Sequence, residues 1–197
     1  VAPASPHQRD PALGTELIAS ITLAAFSIAV AAGFARVFSG WQFLDDFVVL
    51  ALAGHGFGFL TRRLRIPGIV ASPLFVGVMV WIIAFVHYRE SMSALIPTGE
   101  TLELFRQEID RVREEFPTAV APVIYGGGWE VIAAIGMALT IVLSDTFAFR
   151  AFARAEALVP GGVLFVFVAA LGIDRSRVAL TTALVATGVA ATVALRA

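Results

Sequence analysis

The sequence has no cysteine and no lysine, three histidines in 197 residues, and charged side chains at only 15% of positions. Each scarcity excludes something. Without cysteine there are no disulfides, thiolate zinc sites, cysteine-ligated iron–sulfur clusters or thiol nucleophiles in these residues. Histidines at 7, 55 and 87 are too few and too scattered for a His/Cys metal centre, so no cofactor is expected. No phosphate-binding glycine loop, His-Glu-x-x-His helix or Gly-x-Ser-x-Gly elbow occurs, and no turnover is expected of the chain. Fourteen arginines face fifteen acids for a net charge of −1. The one dense basic run is Arg62, Arg63 and Arg65, so no nucleic-acid partner is expected.

Apolar residues are what remains: 58% of the chain, with mean hydropathy +0.86. A soluble domain is about 25% charged, and a chain this apolar has too little polar surface to face water. Spanning ~30 Å of hydrocarbon takes ~20 apolar residues of helix. Six runs meet or approach that length: 17–38, 43–60, 67–86, 129–149, 158–173 and 178–195. None alternates apolar and polar residues as barrel strands do. The expected fold class is therefore all-α, a polytopic membrane protein of about six transmembrane helices occupying 15–197. Residues 1–14, rich in proline and alanine, read as a flexible tail. The first apolar run is too long for a cleavable signal. The abrupt ends read as those of a piece of a longer protein.

Residues 98–116 break the pattern. They are densely charged, yet Leu102, Phe105, Ile109, Val112 and Phe116 recur at helical spacing on one stripe. Thr98 is positioned to cap this helix, Glu100 suits its positive end, and Pro117 stops it. Tyr125 and Trp129 mark re-entry into lipid. The helix is expected on the water side. Its stripe would lie on the bundle, and its acidic face, including Glu108 and Glu115, would face a partner.

Four ionisable residues within the apolar runs are functional candidates. Asp45 and Asp46 could bind cations or relay protons; the simpler reading places them hydrated at the headgroup level or facing Arg36. His55, in the run Gly54, His55, Gly56, Phe57, Gly58, could shuttle protons. The simpler reading has it bond a neighbouring backbone group or hydroxyl across a close helix contact made by Gly54 and Gly58. Asp145 could serve transport. The preferred reading is that it pins its helix to the Arg62–Arg65 loop or to Arg150.

Alternating the helices divides the arginines seven and seven between the two faces. The short run Arg62, Arg63, Arg65 then decides the orientation, placing that end in the cytoplasm and 98–116 outside.

The run Leu95, Ile96, Pro97, Thr98, Gly99, Glu100, Thr101, Leu102 resembles a known pattern, together with the charged helix after it. So does Leu143, Ser144, Asp145, Thr146, Phe147, Ala148, Phe149, Arg150 leading to Ala157, Leu158, Val159 and Pro160. Over roughly 15–195 the chain resembles the amino-terminal membrane domain of TgpA-type transglutaminase-like membrane proteins, especially the actinobacterial ones. The resemblance implies a multi-pass domain of a bacterial plasma membrane. It would anchor and position an extracytoplasmic domain bearing Cys, His and Asp, itself absent here, so no catalytic residue carries over. Two other readings remain open: a small solute-binding membrane subunit of a transporter, and a scaffold for envelope assembly.

Overall fold

The computed structural model describes residues 13–151 and 153–197; positions 1–12 of the expected tail lie outside them. Among the described residues seven α-helices follow one another: α1 (Leu13–Ala32), α2 (Phe43–Arg63), α3 (Gly68–His87), α4 (Gly99–Glu115), α5 (Trp129–Asp145), α6 (Val159–Leu171) and α7 (Arg177–Arg196). Among the described residues the only extended pairing is two isolated bridges, Phe38 with Val123 and Ser93 with Ile96. Five helices, counting the turns that prolong them, are long and apolar enough to cross a membrane. They are Leu13–Arg36, Phe43–Arg63, Gly68–His87, Trp129–Arg150 and Arg177–Arg196. The protein is a multi-pass all-α chain.

The sequence predicts six spans, and the remaining one is short. α6 has 13 residues, preceded by a 3-10 turn at Glu156–Leu158. At 1.5 Å per α residue and ~2 Å per 3-10 residue, the stretch rises roughly 26 Å. It still runs from end to end. Ala157 packs with Ala19, Leu23 and Leu195 at one end of the bundle. At the other, Gly172 lies so close to Arg36 that a Cβ would sit 2.5 Å from that side chain.

The crossing helices alternate in direction. Glu16, at the start of α1, meets Arg62 at the end of α2, and Asp145 at the end of α5 meets the same arginine. At the opposite end Arg36 donates to the Ile173 carbonyl, and Tyr125 donates to Asp46. Aromatic side chains fill the core near that second end: Phe34, Phe38, Phe43, Phe47 and Tyr125 lie with ring centroids 5.1–6.4 Å apart. Phe38, Phe43 and Phe47 are fully buried.

Local chemistry sets the turns. α2 closes with the Ile66 amide bonded to the Thr61 carbonyl and the Arg65 amide to the Arg62 carbonyl. That is the bond pair of a Schellman cap. Its left-handed position is Arg65, at φ 54°, where glycine is usual. Pro67 follows and starts α3 in the opposite direction. Gly126, Gly127 and Gly128 all have positive φ before α5. At Gly128 a side chain is also sterically barred, since a Cβ would sit 2.7 Å from the Glu108 carbonyl oxygen on α4.

α4 lies across the end of the bundle, held at both its ends. Thr98 and Thr101 form a reciprocal capping box, and both hydroxyls donate to the Ser91 carbonyl. The stripe is covered in part. Val112 is 1% exposed and Phe105 packs on the core, whereas Leu102 at 49% and Phe116 at 55% stay open. Of the two carboxylates expected to face a partner, Glu108 turns toward the bundle, while Glu115 stays exposed. Glu108 accepts a hydrogen bond from Tyr88, and Glu115 accepts one from the Trp129 indole at 3.2 Å. Both carboxylates help hold α4 down, because the aromatic donors at the ends of α3 and α5 reach them. Burial, and next the Glu108 bond, raises the Tyr88 pKa; burial and the Asp46 bond do the same at Tyr125. Both phenols therefore stay neutral donors.

Two outcomes follow. Val112→Asp should destabilise the detergent-solubilised chain, by ~1.5–3 kcal/mol for lost burial alone, with the stranded carboxylate adding to it. Phe116→Asp should melt like the parent; equal losses for both would mean α4 is not seated through Val112. For topology, Leu64→Cys should resist an impermeant thiol reagent on intact cells while Glu103→Cys is labelled. The reverse pattern would invert the orientation drawn from the arginine run.

Candidate functional site

The polar residues of the apolar runs gather mainly at one place, the end of the bundle where α2 turns into α3. Its centre is Arg62, in the last turn of α2. Its Nη1 lies 2.7 Å from both carboxylate oxygens of Asp145. Its Nε donates to Glu16 Oε1 at 2.8 Å, and its Nη2 donates to Ser20 Oγ at 2.9 Å. Phe149 covers the guanidinium face at 3.8 Å. Arg63 Nη2 reaches the other Glu16 oxygen, Oε2, at 2.8 Å.

Helix position explains the pairing. Glu16 occupies the first turn of α1 and Arg62 the last turn of α2, where the helix dipoles favour those signs. Asp145 is the last residue of α5 proper, just before the π-helical turn Thr146–Arg150 that prolongs it. It is also completely buried. A carboxylate there needs a cation, and Arg62 supplies it. Glu16, Asp145, Arg62 and Arg63 together form a neutral quartet, so the pairing leaves no net charge in the bundle. Gly58 makes room for it: a Cβ at that position would sit 2.5 Å from Asp145 Oδ1. Gly54 does the same one turn earlier, where a Cβ would sit 2.7 Å from Ile141 Cγ2. The two glycines are thus the close-approach face of α2 toward α5, as their spacing predicts.

His55 extends the network inward. Its Nε2 is 2.9 Å from Ser27 Oγ on α1, and its Nδ1 is 3.9 Å from Asp145 Oδ1, with no hydrogen-bond partner of its own. Ser144 Oγ is likewise buried and unpartnered. Beside them, Arg150 Nη2 donates to Thr61 Oγ1 at 2.9 Å, and Thr61 donates in turn to the Gly58 carbonyl.

Ser27, His55 and Asp145 stand in the order of a nucleophile, a base and an orienting acid. The geometry does not suit acyl transfer. The His–Asp separation of 3.9 Å exceeds a hydrogen bond, and both Asp145 oxygens are held by Arg62. Ser27 is fully buried in the middle of α1, where its amide is committed to the helix and cannot serve an oxyanion. The arrangement braces helices: one arginine ties α2 to α1 and α5.

No family model, curated protein or solved structure matches this chain. The site is therefore read from its own geometry. His55 finds a hydroxyl partner, but on α1 and not across the glycine contact with α5 that the simpler reading expects, and Asp145 meets Arg62. Arg150, the other partner weighed for Asp145, turns to Thr61 instead. Asp45 and Asp46 lie at the far end, apart from the network. Asp45 is exposed, and Asp46 accepts from Tyr125 at 2.6 Å. Arg36 does not face them: its Nε donates to the Ile173 carbonyl at 2.8 Å, because the open chain after α6 brings that acceptor over it. Arg65 serves as the turn residue after α2. Among the described residues no cluster of three or more His, Asp or Glu could hold a metal ion.

Sequence reasoning missed Glu16, Ser20, Ser27 and Thr61. Glu16 sits one residue outside the first apolar run, and 46 residues separate it from Arg62. The available signal was the sign of the charge at each helix end, since an acid opening α1 and an arginine closing α2 must lie side by side in an antiparallel pair.

Removing one partner of such a network leaves a buried charge behind, at about 3–5 kcal/mol. Asp145→Ala should therefore destabilise the chain by that order in detergent. Combining it with Arg62→Met should cost less than the sum of the two single changes, since cation and anion leave together. Additive losses would mean that the two side chains are not coupled.

Proposed function

We propose that this chain is the non-catalytic anchoring and positioning domain of a bacterial plasma-membrane protein, presenting a rigid outer face to an extracytoplasmic transglutaminase-like domain. The observation that carries this reading is α4. It is clamped across the bundle through Tyr88, Thr98, Thr101, Val112 and Glu115, while Glu100, Glu103, Asp110 and Glu114 remain in water. A helix fixed on one side and charged on the other makes a platform. The braced opposite end supports the same reading, because charges satisfied by one another leave little for a passing solute. The resemblance of 95–102 and 143–160 to TgpA-type membrane domains supplies the identity of the outer domain.

A groove of about 550 Å³ lies beside the platform, lined by residues including Arg111, Glu115, Thr118, Val123 and Trp129. It is open to the outer side and offers a seat for a neighbouring domain.

A second reading, a small transporter subunit, has one observation in its favour: the buried sequence Ser27, His55, Asp145, with the His55 Nδ1 unpartnered. Such a role would require these groups to exchange partners during a cycle.

Crosslinking separates the two. In cells expressing the parent polypeptide, Glu103→Cys and Asp110→Cys should crosslink to the Cys/His/Asp-bearing domain, while Arg154→Cys at the opposite end should not. The isolated chain should show no transamidase or peptidase turnover. Equal crosslinking from both ends, or turnover that tracks with the purified chain, would defeat the anchor reading. A solute flux lost in His55→Ala would favour the transporter.

A further inference from the structure

We propose that the tight turn at Ala94 and Leu95, between α3 and α4, is a membrane-interface anchor that inserts Leu95 and Ile96 among lipid chains at the depth of Trp81. This goes beyond the anchor reading and does not depend on an outer domain. α3 has 20 residues and rises ~30 Å, about the thickness of the hydrocarbon core. Its end, His87, therefore marks the boundary on this side. Trp81 lies six residues before it, ~9 Å inward, on a face where Val76 and Val80 are also exposed.

The turn is tied to that depth. The Trp81 indole Nε1–H donates to the Leu95 carbonyl at 2.9 Å, so the chain leaving α3 folds back along it. Ser93 and Ile96 satisfy each other, amide to carbonyl in both directions, at 3.0 and 2.9 Å. Backbone groups in a water-poor layer need internal partners of this kind.

The side chains agree. Ala94 and Leu95 occupy left-handed conformations, φ 47° and 67°, of the kind such turns normally assign to Asn or Gly. The sequence keeps a large apolar residue there even so. Leu95 is 53% and Ile96 66% exposed, so neither is buried by the chain itself. Residues 92–97 carry no charge, so no ion has to be stripped of water to set them among lipid chains. Trp81 stacks on Phe85 at 5.4 Å, and Arg89 lies over Phe85 at 5.2 Å. That column runs from cation to aromatic to indole, the order of a membrane boundary from water inward. Lipid is the occupant that fits.

The absence of cysteine makes the test direct. Leu95→Cys and Ile96→Cys, spin-labelled in phosphatidylcholine nanodiscs, should collide with oxygen in preference to a water-soluble nickel chelate, matching Val80→Cys on the lipid face of α3. Gln107→Cys, on the exposed side of α4, should show the opposite preference. Trp81→Phe should leave helicity unchanged and shift the Leu95→Cys label toward nickel. Labels at 95 and 96 that behave like the one at 107 would overturn the proposal by placing the turn in water. Labels shielded from both reagents would overturn it by showing protein cover, and an unmoved label in Trp81→Phe would overturn the indole tether.

Discussion

Everything at one end of this bundle depends on the Arg62 guanidinium. It lies against carboxylates from two other helices, and each contact answers a separate need. Asp145 is fully buried and requires a cation. Glu16 sits at the favourable end of its own helix but is also nearly buried. Desolvating these ions is expensive, and the pairing recovers that cost only when every donor finds an acceptor. Arg62 meets that condition with Asp145, Glu16 and Ser20, and Phe149 closes over its face. Hydrophobic burial cannot perform this alignment in lipid, because apolar faces gain little by leaving one apolar medium for another. Directional polar contacts set the register of α1, α2 and α5 instead.

The glycines of α2 follow from the same need. Asp145 can approach Arg62 only if α5 lies hard against α2, and Gly58 leaves no side chain in the way. His55, between the two glycines, then falls within reach of Ser27 on the third helix. The far end is built on other chemistry. Packed phenylalanines fill the core there, Arg36 donates to a backbone carbonyl rather than to an acid, and the carboxylates meet neutral phenols and an indole. A neutral donor is less costly to bring near the membrane boundary than a second cation, so α4 can be fastened without another ion pair.

The helical runs were legible because lipid demands long apolar helices, and that demand is written residue by residue. The short α6 was legible as well, since Pro160, Gly161 and Gly162 open it and Asp174 and Arg175 follow close behind it. The meeting of Asp145 with Arg62 could be anticipated from the charge each would otherwise strand. The role of Glu108 could not. On an isolated helix its place beside charged neighbours makes it solvent-facing, and only the end of α3, with Tyr88 beside it, turns it inward. Glu16 was hidden for a similar reason: its partner is remote in sequence, and an acid just ahead of an apolar run reads as part of the tail. Arg36 shows the limit from the other side. A nearby acid is the obvious partner for an arginine, yet a backbone carbonyl left open after α6 took its place.

The two ends therefore differ in what motion they permit. Breaking the Arg62 contacts would expose several charges to a medium that cannot solvate them, so α1, α2 and α5 are held together by a steep penalty. At the α4 end, residues 116–128 include exposed Val120 and Ile124 and three consecutive glycines with positive φ. Their polar contacts sit next to water, where a lost hydrogen bond is readily replaced. Local opening should be drawn from such low-cost regions. If the bundle presents a face to another domain, adjustment on docking belongs to residues 116–128, with the Arg62 end serving as the fixed reference.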